Sequence, residues 1–418
     1  MQNAEFKMQK EHRQIRRCQE HFMKRLIVFV LVLSLRVCAE TPTAESYVPP
    51  EGRSPELQAF DRAALFLGAM QEEDGHWSAA RSGAAPEFSG VNGDITCTAL
   101  ATYVMLCTSQ GKVQNMAAIK RAKRGIEWLS THIKPDGRIV QESPTGEPVV
   151  AQFISAMAFM QAATMSTRPK LREQSVALVR YAVVKMQSTA GGYGAFAKAP
   201  QCRADISGLA TFVFKSALME DIKFSDGAAT DVSKLNTEIE NNLRAGQQRL
   251  SADPEKKNGI LQALGSMPPQ KGEPDWDATL CGITARTLLL ATLTELRPAI
   301  AFMLQDYDAA TTSYSGLKGR MEWGADGGSF RSLSLWQGTL SSVYLFTENA
   351  NEGKAWNDAV RKVLLGHQSK NGSWPVAGED AKRGTVWRAS LHALSLILLA
   401  PPPPPPQPPT DNGTPPAP

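Results

Sequence analysis

Three aspartates, each opening a long apolar stretch, are the residues of this chain best placed to do chemistry. They stand in Gly93-Asp94-Ile95-Thr96, Ala204-Asp205-Ile206-Ser207 and Trp276-Asp277-Ala278-Thr279. An aspartate at a helix start accepts from free amides and complements the positive end of the helix dipole, so one role open to all three is capping at a common rim position. The other role is proton transfer. Asp275 precedes Asp277 by two residues, and a carboxyl that is desolvated among other carboxylates keeps its proton yet donates it strongly. Asp277 is the candidate acid and Asp275 its neighbour.

These positions need elements to hold them. Amphipathic stretches with apolar residues three and four apart run over Leu57 to Met70, Ala122 to His132, Val176 to Met186 and Trp356 to Leu365, and each predicts a helix with one wet face. Between them lie stretches that are apolar on nearly all sides: Ile95 to Cys107, Val149 to Ala162, Ile206 to Leu218, Leu280 to Leu293, Leu335 to Phe346 and Val386 to Leu399. A helix that is apolar all round is buried. Outer and inner helices therefore alternate.

A repeat fixes how many pairs there are. Gln71, Gly75 and Trp77 return as Gln368, Gly372 and Trp374 and, with tyrosine for tryptophan, as Gln187, Gly191 and Tyr193. Weaker copies fall at Ile133/Gly137/Ile139, Glu255/Gly259/Leu261 and Gly324/Gly328/Phe330. Six such units predict an all-α fold, a single α/α toroid of six helical hairpins over residues 55–400. In each unit glycine ends the outer helix, the aromatic two residues on folds back against it, and glutamine bonds free carbonyls there.

On these residues the chain resembles the squalene and oxidosqualene cyclases, whose repeat is Gln-x-x-x-Gly-x-Trp, and the β subunits of protein prenyltransferases, which share the toroid. The resemblance implies the fold and assigns the repeat residues a packing role. It also makes Asp275-Trp276-Asp277-Ala278-Thr279 similar to the Asp-x-Asp-Asp-Thr motif of class II terpene cyclases, with Asp277 at the proton-donating position and Ala278 replacing the last aspartate. Aligned on Trp336 and Gln337, the prenyltransferase zinc ligands fall on Phe330, Ser332 and a position near Val386. Phenylalanine and valine cannot bind zinc and serine is a poor ligand, so no metal and no cofactor are expected.

The ends carry their own signals. Lys24 and Arg25 precede the apolar run Leu26 to Leu35 and then Val37-Cys38-Ala39, which reads as a leader and signal peptide over residues 1–39, followed by a linker over 40–54. The chain is then exported, periplasmic or secreted, with a lipoprotein through Cys38 as the alternative. Residues 401–418 open with six prolines and form a disordered, Pro-rich tail. Residues 1–39 hold eight of the basic and three of the acidic residues, so the formal charge of +4 leaves a near-neutral mature chain with no footprint for nucleic acid.

Of the remaining cysteines, Cys97 and Cys107 are ten residues apart on one expected helix, about 15 Å, and cannot bridge each other. Cys97, Cys202 and Cys281 fall near inner-helix starts, where a pair could oxidise or stay as buried thiols. His392 lies inside the last inner helix, as a core histidine or beside Asp277. The basic cluster Lys120, Arg121, Lys123 and Arg124 reads as a solvated face.

Three functions fit. The first is a non-catalytic exported toroid binding a protein partner or an apolar ligand at its rim or cavity, the second a squalene-type cyclase using Asp277, and the third an α/α-barrel enzyme acting on polysaccharides. Membrane association is expected only for a lipoprotein or an isoprenoid-acting enzyme. The third reading needs paired acids facing a groove and sugar-binding tryptophans there, for which Trp276 and Trp387 are the candidates.

Overall fold

In the computed structural model the described residues are 47–108, 116–141, 143, 145–189, 193–200, 202–219, 263–264, 276–288, 293–304, 307–308, 313–314, 317, 321, 323–324, 327–328, 330–345, 350–376 and 378–401. The signal-peptide region, Asp275, Gly191, the Glu255/Gly259/Leu261 copy and the tail beyond Pro401 lie outside them.

Outer and inner helices alternate along the chain as their periodicity requires. The outer set is α1 (Pro55–Ala69), α3 (Met116–His132), α5 (Pro169–Lys185), α8 (Leu293–Leu304) and α10 (Ala350–His367). The inner set is α2 (Gly90–Thr108), α4 (Pro148–Thr164), α6 (Ala204–Met219), α7 (Trp276–Leu288), α9 (Ser332–Leu345) and α11 (Gly384–Leu399). The first outer helix starts where Ser54 accepts from the Leu57 amide and Pro55 follows, since proline has no N–H to leave unsatisfied at a helix start. Three antiparallel ladders, each two residues deep, are the strands among the described residues: Cys202–Arg203 with Ala263–Leu264, Tyr307–Asp308 with Ser313–Tyr314, and Trp323–Gly324 with Gly327–Gly328.

The inner helices close on themselves. α2 packs on α4, α4 on α6, α6 on α7, α7 on α9, α9 on α11, and α11 returns to α2, while each described outer helix α3, α5, α8 and α10 packs on the inner helix before it. α1 packs on α11, so the last unit is covered by the first. This is the expected α/α toroid. One boundary differs, because Leu293 opens the outer helix α8 rather than ending an inner one; in the unbroken run Thr287 to Leu290 every residue but the first is apolar, and apolar periodicity alone gives no stop signal.

The repeat residues make the joints. Trp77 Nε1 donates to the carbonyl of Leu67, ten residues back, at 2.6 Å, and Trp374 Nε1 does the same to Leu364 at 2.7 Å. Gln71 Nε2 donates to Gly75 O and onward to Arg121 O of α3, and Gln368 Nε2 to Gly372 O and onward to Ala59 O of α1. Glutamine thus ties its own glycine to the next outer helix, and at the last unit it shuts the ring. In the second unit Ile133 cannot do this. Gln152, reaching out from inner helix α4, supplies the same pair of bonds, to Gly137 O and Leu178 O. The third unit departs from the pattern, since Gln187 Nε2 donates back to Val183 O in the last turn of the helix it follows.

Glycine is required at these joints twice over. Gly137 has φ +87°, and a Cβ there would stand 2.1 Å from the carbonyl oxygen of Ala177; Gly372, also at φ +87°, would meet Arg62 O at 2.2 Å. Inside the ring, hydroxyl side chains satisfy themselves on their own helices, as Thr211 on Ser207 O, Thr284 on Leu280 O, Thr339 on Leu335 O and Ser395 on Leu391 O.

Candidate functional site

The loops that lead into the inner helices meet at one rim. The Ala85 amide donates to Lys382 O, Thr385 to Ser82 O, and Gly146 to Glu87 O, so the loops of the first, second and sixth units are stitched together. Asn92 shapes the second of these loops. Its Oδ1 accepts from the Gln141 amide at 2.9 Å and its Nδ2 donates to Thr145 O at 3.0 Å.

The loop delivers Glu147 in an unusual state. At φ +46° and ψ +70° it is left-handed without being glycine, and it precedes Pro148, which itself restricts the residue before it. Although it occupies the cap position of α4, its side chain makes no capping bond. Its carboxylate goes to two arginines instead: Oε1 pairs with Arg203 Nη1 and Oε2 with Arg383 Nη2, each at 2.6 Å. Arg203 in turn holds Asp205 Oδ2 at 2.5 Å. Glu147 and Asp205 are therefore gripped by neighbouring nitrogens of a single guanidinium.

Burial would raise the Asp205 carboxyl, but Arg203 and then Arg383 and Arg331 outweigh it and hold the group below the usual carboxylate range. Glu147 lines a half-open crevice with Phe88, Gly93, Thr96, Cys97, Val150, Arg383 and Trp387. Arg383 lies over both aromatic rings there, 4.9 Å from the Phe88 centroid and 4.5 Å from that of Trp387. The carboxylate, the guanidinium and the two rings in this wall are packed on one another, Glu147 on Arg383 and Arg383 on the rings.

The aspartates singled out from sequence are placed differently from one another. Asp205 is the second residue of α6, where Oδ1 accepts from the adjacent Ile206 amide alongside its arginine pairing. The other two bind neighbouring segments. Asp94 is the fifth residue of α2, not its cap, and accepts from Ala79 N at 2.7 Å; burial raises its carboxyl against that bond. Asp277, 9 % exposed, accepts from Arg331 N at 3.1 Å, across to the segment before α9. For Asp94 the reason is register, since α2 begins four residues before it.

Trp276 and Trp387 are both buried rather than exposed platforms: Trp276 Nε1 donates to Met303 O and its ring stacks on Trp356, while Trp387 lies beneath Arg383. His392 is a core histidine. Its Nε2 is 3.0 Å from Ser332 Oγ, which also bonds Asp380, and its ring packs against Trp374 and Phe330. Cys97, Cys107 and Cys281 are buried and outside any disulfide, and burial pushes Cys97 and Cys107 up to about 12. Arg124, read as a solvated side chain, instead reaches Glu72 O at 3.0 Å. Among the described residues no group of three or more His, Cys, Asp or Glu is placed to hold a metal ion, and no helix is long and apolar enough to cross a membrane.

Sequence reading missed Glu147, Arg203 and Arg383. Gly146-Glu147-Pro148 was a legible turn signal, and Arg203 two residues before Asp205 was a legible pair. Nothing local joins either to Arg383.

No protein-family model and no curated protein sequence matches this chain. Solved structures do. An α-1,6-mannanase, GH76A of Salegentibacter sp. HEL1_6, is 12% identical, with the match covering 83% of this chain and 98% of that one at a TM-score of 0.52. Two inactive variants of the same enzyme, in complex with α-1,6-mannotriose and α-1,6-mannotetrose, match over the same shares at 12% identity, with TM-scores of 0.54 and 0.53. The shared property is the α/α toroid. These structures are mannanases and not terpenoid cyclases, which corrects the resemblance drawn from the Gln-x-x-x-Gly-x-Trp repeat and the prenyltransferase comparison with it. The same finding overturns the leaning towards a protein without catalysis, or towards an isoprenoid cyclase. The physical reason is that the repeat is a joint between helical hairpins, and a joint does not encode chemistry.

Proposed function

We propose that this protein is an exported enzyme that cleaves glycosidic bonds in a polysaccharide, working at the loop rim. The observation that carries the reading is Glu147, a carboxylate on left-handed backbone where the loops of the rim meet. Strained non-glycine backbone persists where surrounding contacts force it, and such residues cluster at active sites.

Glycosidic cleavage asks for two carboxyl groups flanking the bond, one protonating the leaving oxygen as its bond to the anomeric carbon breaks, the other accepting a proton from the attacking water or bonding the carbon itself. Asp205, bound to the same guanidinium as Glu147, is the candidate for the second group. Arg203 fixes the pair, and Asn92 fixes the loop that presents Glu147.

The mannanase likeness supports the fold and the reaction class. It does not transfer residues. The inactive mannanase variants replace two consecutive aspartates, and this chain has no two consecutive aspartates anywhere. Its carboxylates must come from other positions, as Glu147 and Asp205 do.

The test is incubation of the purified mature chain with a panel of polysaccharides that includes α-1,6-mannan, reading new reducing ends. Cleavage of one of them, falling at least 100-fold in both Glu147→Gln and Asp205→Asn while both variants stay folded, is expected. An unaffected rate in Glu147→Gln would remove the assignment, and no cleavage across the panel would remove the function.

A further inference from the structure

Among the described residues two that are not glycine have left-handed backbone, Glu147 at φ +46° and Lys198 at φ +59°. They stand at one corner of the rim. The Val149 amide, two residues past Glu147, donates to Ala195 O, and the Arg203 amide donates to Tyr193 O, so the loop before α6 lies against the starts of α4 and α6. Lys198 follows three residues after Ala195. Backbone strain of this kind gathers at active sites and ligand clamps.

Between these two residues Phe196 is 42 % exposed, whereas the other aromatics of the rim, Phe88, Trp276 and Trp387, are half-buried or buried. A lone exposed apolar side chain is ordinary on a protein surface. This one stands on a fixed turn. Phe196 O accepts from the Ala199 amide at 3.2 Å, the Lys198 amide donates to Gln187 O at 2.8 Å, and the Thr189 amide donates to Ala199 O at 2.9 Å, which ties the turn to the segment that follows α5. Through the Ala195 to Val149 bond, the backbone path from Phe196 to the Glu147 Cα is no longer than roughly 12 Å. Phe196 is not among the residues that line the crevice, so a ligand on its ring needs no room there.

A pyranose turns out a face of slightly positive C–H bonds and an aromatic ring presents a negative face, so the two attract while the hydroxyls of the sugar stay in water. We propose that Phe196 is a sugar-stacking residue: one pyranose unit of the glycan lies on its ring, and the chain runs on from there to Glu147. This rests on the carbohydrate reading above and supplies the exposed aromatic that Trp276 and Trp387, being buried, do not.

The intact mature chain is run in native gels containing α-1,6-mannan, dextran or pectin, and the same polymers are assayed for new reducing ends. Phe196→Ala should weaken retardation by the retained polymer, and raise KM for a cleaved one, by about 10-fold, the order of one aromatic stacking contact, with kcat moving less than KM. Phe196→Trp should restore both. As Phe196 is exposed, its replacement leaves the fold intact, which thermal melting checks. Val184→Ala, at an exposed apolar position on α5, is the control and should change neither. Parental affinity and KM in Phe196→Ala overturn the stacking role and leave cleavage standing. Retardation that Phe196→Ala weakens, without cleavage of any polymer, supports the stacking role and removes the enzymatic reading. Neither retardation nor cleavage by any polymer overturns both.

Discussion

Glu147 Oε2 pairs with Arg383 Nη2 at 2.6 Å and so joins the entrance of the second unit to that of the sixth across the rim. With Arg203 on its other oxygen, one strained residue clasps three units.

That clasp has a measurable backbone cost. Glycine tolerates φ +46° and alanine does not, so Glu147→Ala should be less stable than Glu147→Gly by about 1 kcal/mol, although both lose the same two ion pairs. Urea titration of the two variants reads the difference. Equal stabilities would mean that the left-handed backbone is not under strain.

Ring closure depends on amides that ordinary helix packing does not replace. Gln152→Ala leaves Gly137 O, Leu178 O and the Ile139 amide without their partner at a fully buried position, and should cost on the order of 3 kcal/mol. Gln368→Ala acts at a half-buried joint and should cost about 1 to 2 kcal/mol. A larger loss at Gln368 than at Gln152 would contradict this order.

Gly137→Ala should be worse than either, because it combines a left-handed backbone with a Cβ 2.1 Å from a carbonyl oxygen of the next outer helix. Poor yield of folded protein, or an unfolding free energy from urea titration lower by several kcal/mol, is the expected result. Gly366→Ala is the control, having open space around its Cβ.

Stability should fall on the acid side in two stages. His392 is held well below its ordinary 6.5, chiefly by burial and then by Arg388. The unfolded chain therefore binds a proton there first, so the stability from its neutral form is complete above about 6.5 and declines as pH drops below that value. Asp205 is depressed below its ordinary 3.8 by the arginines around it, so its contribution is present above that value and is lost as pH falls through the folded-state value. Unfolding free energies measured from pH 8 to pH 3 should slope below 6.5 and steepen below 4, with His392→Gln flattening the first stage and Asp205→Asn the second.

The thiols report on opening. Cys97 lines the crevice and Cys107 lies ten residues further along the same helix, yet both are pushed up to about 12 by burial and neither offers a thiolate at neutral pH. Iodoacetamide at pH 8 should leave both unmodified in the folded protein and label them in urea, as read by mass spectrometry. Rapid labelling of Cys97 without unfolding would show that the rim opens on its own.

Much of the fold is legible in the order of residues because the signals are local. Apolar periodicity marks which helices have a wet face, the spacing from Gln71 to Trp77 and from Gln368 to Trp374 marks where outer helices end, and six copies of the unit fix a ring. Even so, the joint in the second unit is invisible to a repeat template. Its glutamine comes from Gln152, fifteen residues past Gly137 and on another helix, and the template finds Ile133 in its place.

The site was legible only in its parts. The sequence by itself determined an all-α toroid with carboxylates near the starts of its inner helices, since burial and capping follow from neighbours along the chain. Tertiary structure decided which carboxylates are gathered. Glu147, Arg203 and Arg383 lie far apart in sequence and meet because loops of the second, third and sixth units converge where the ring closes. An ion pair is set by distance in space, to which no period along the chain corresponds, and so the repeat describes the ring while the closure of the ring makes the crevice.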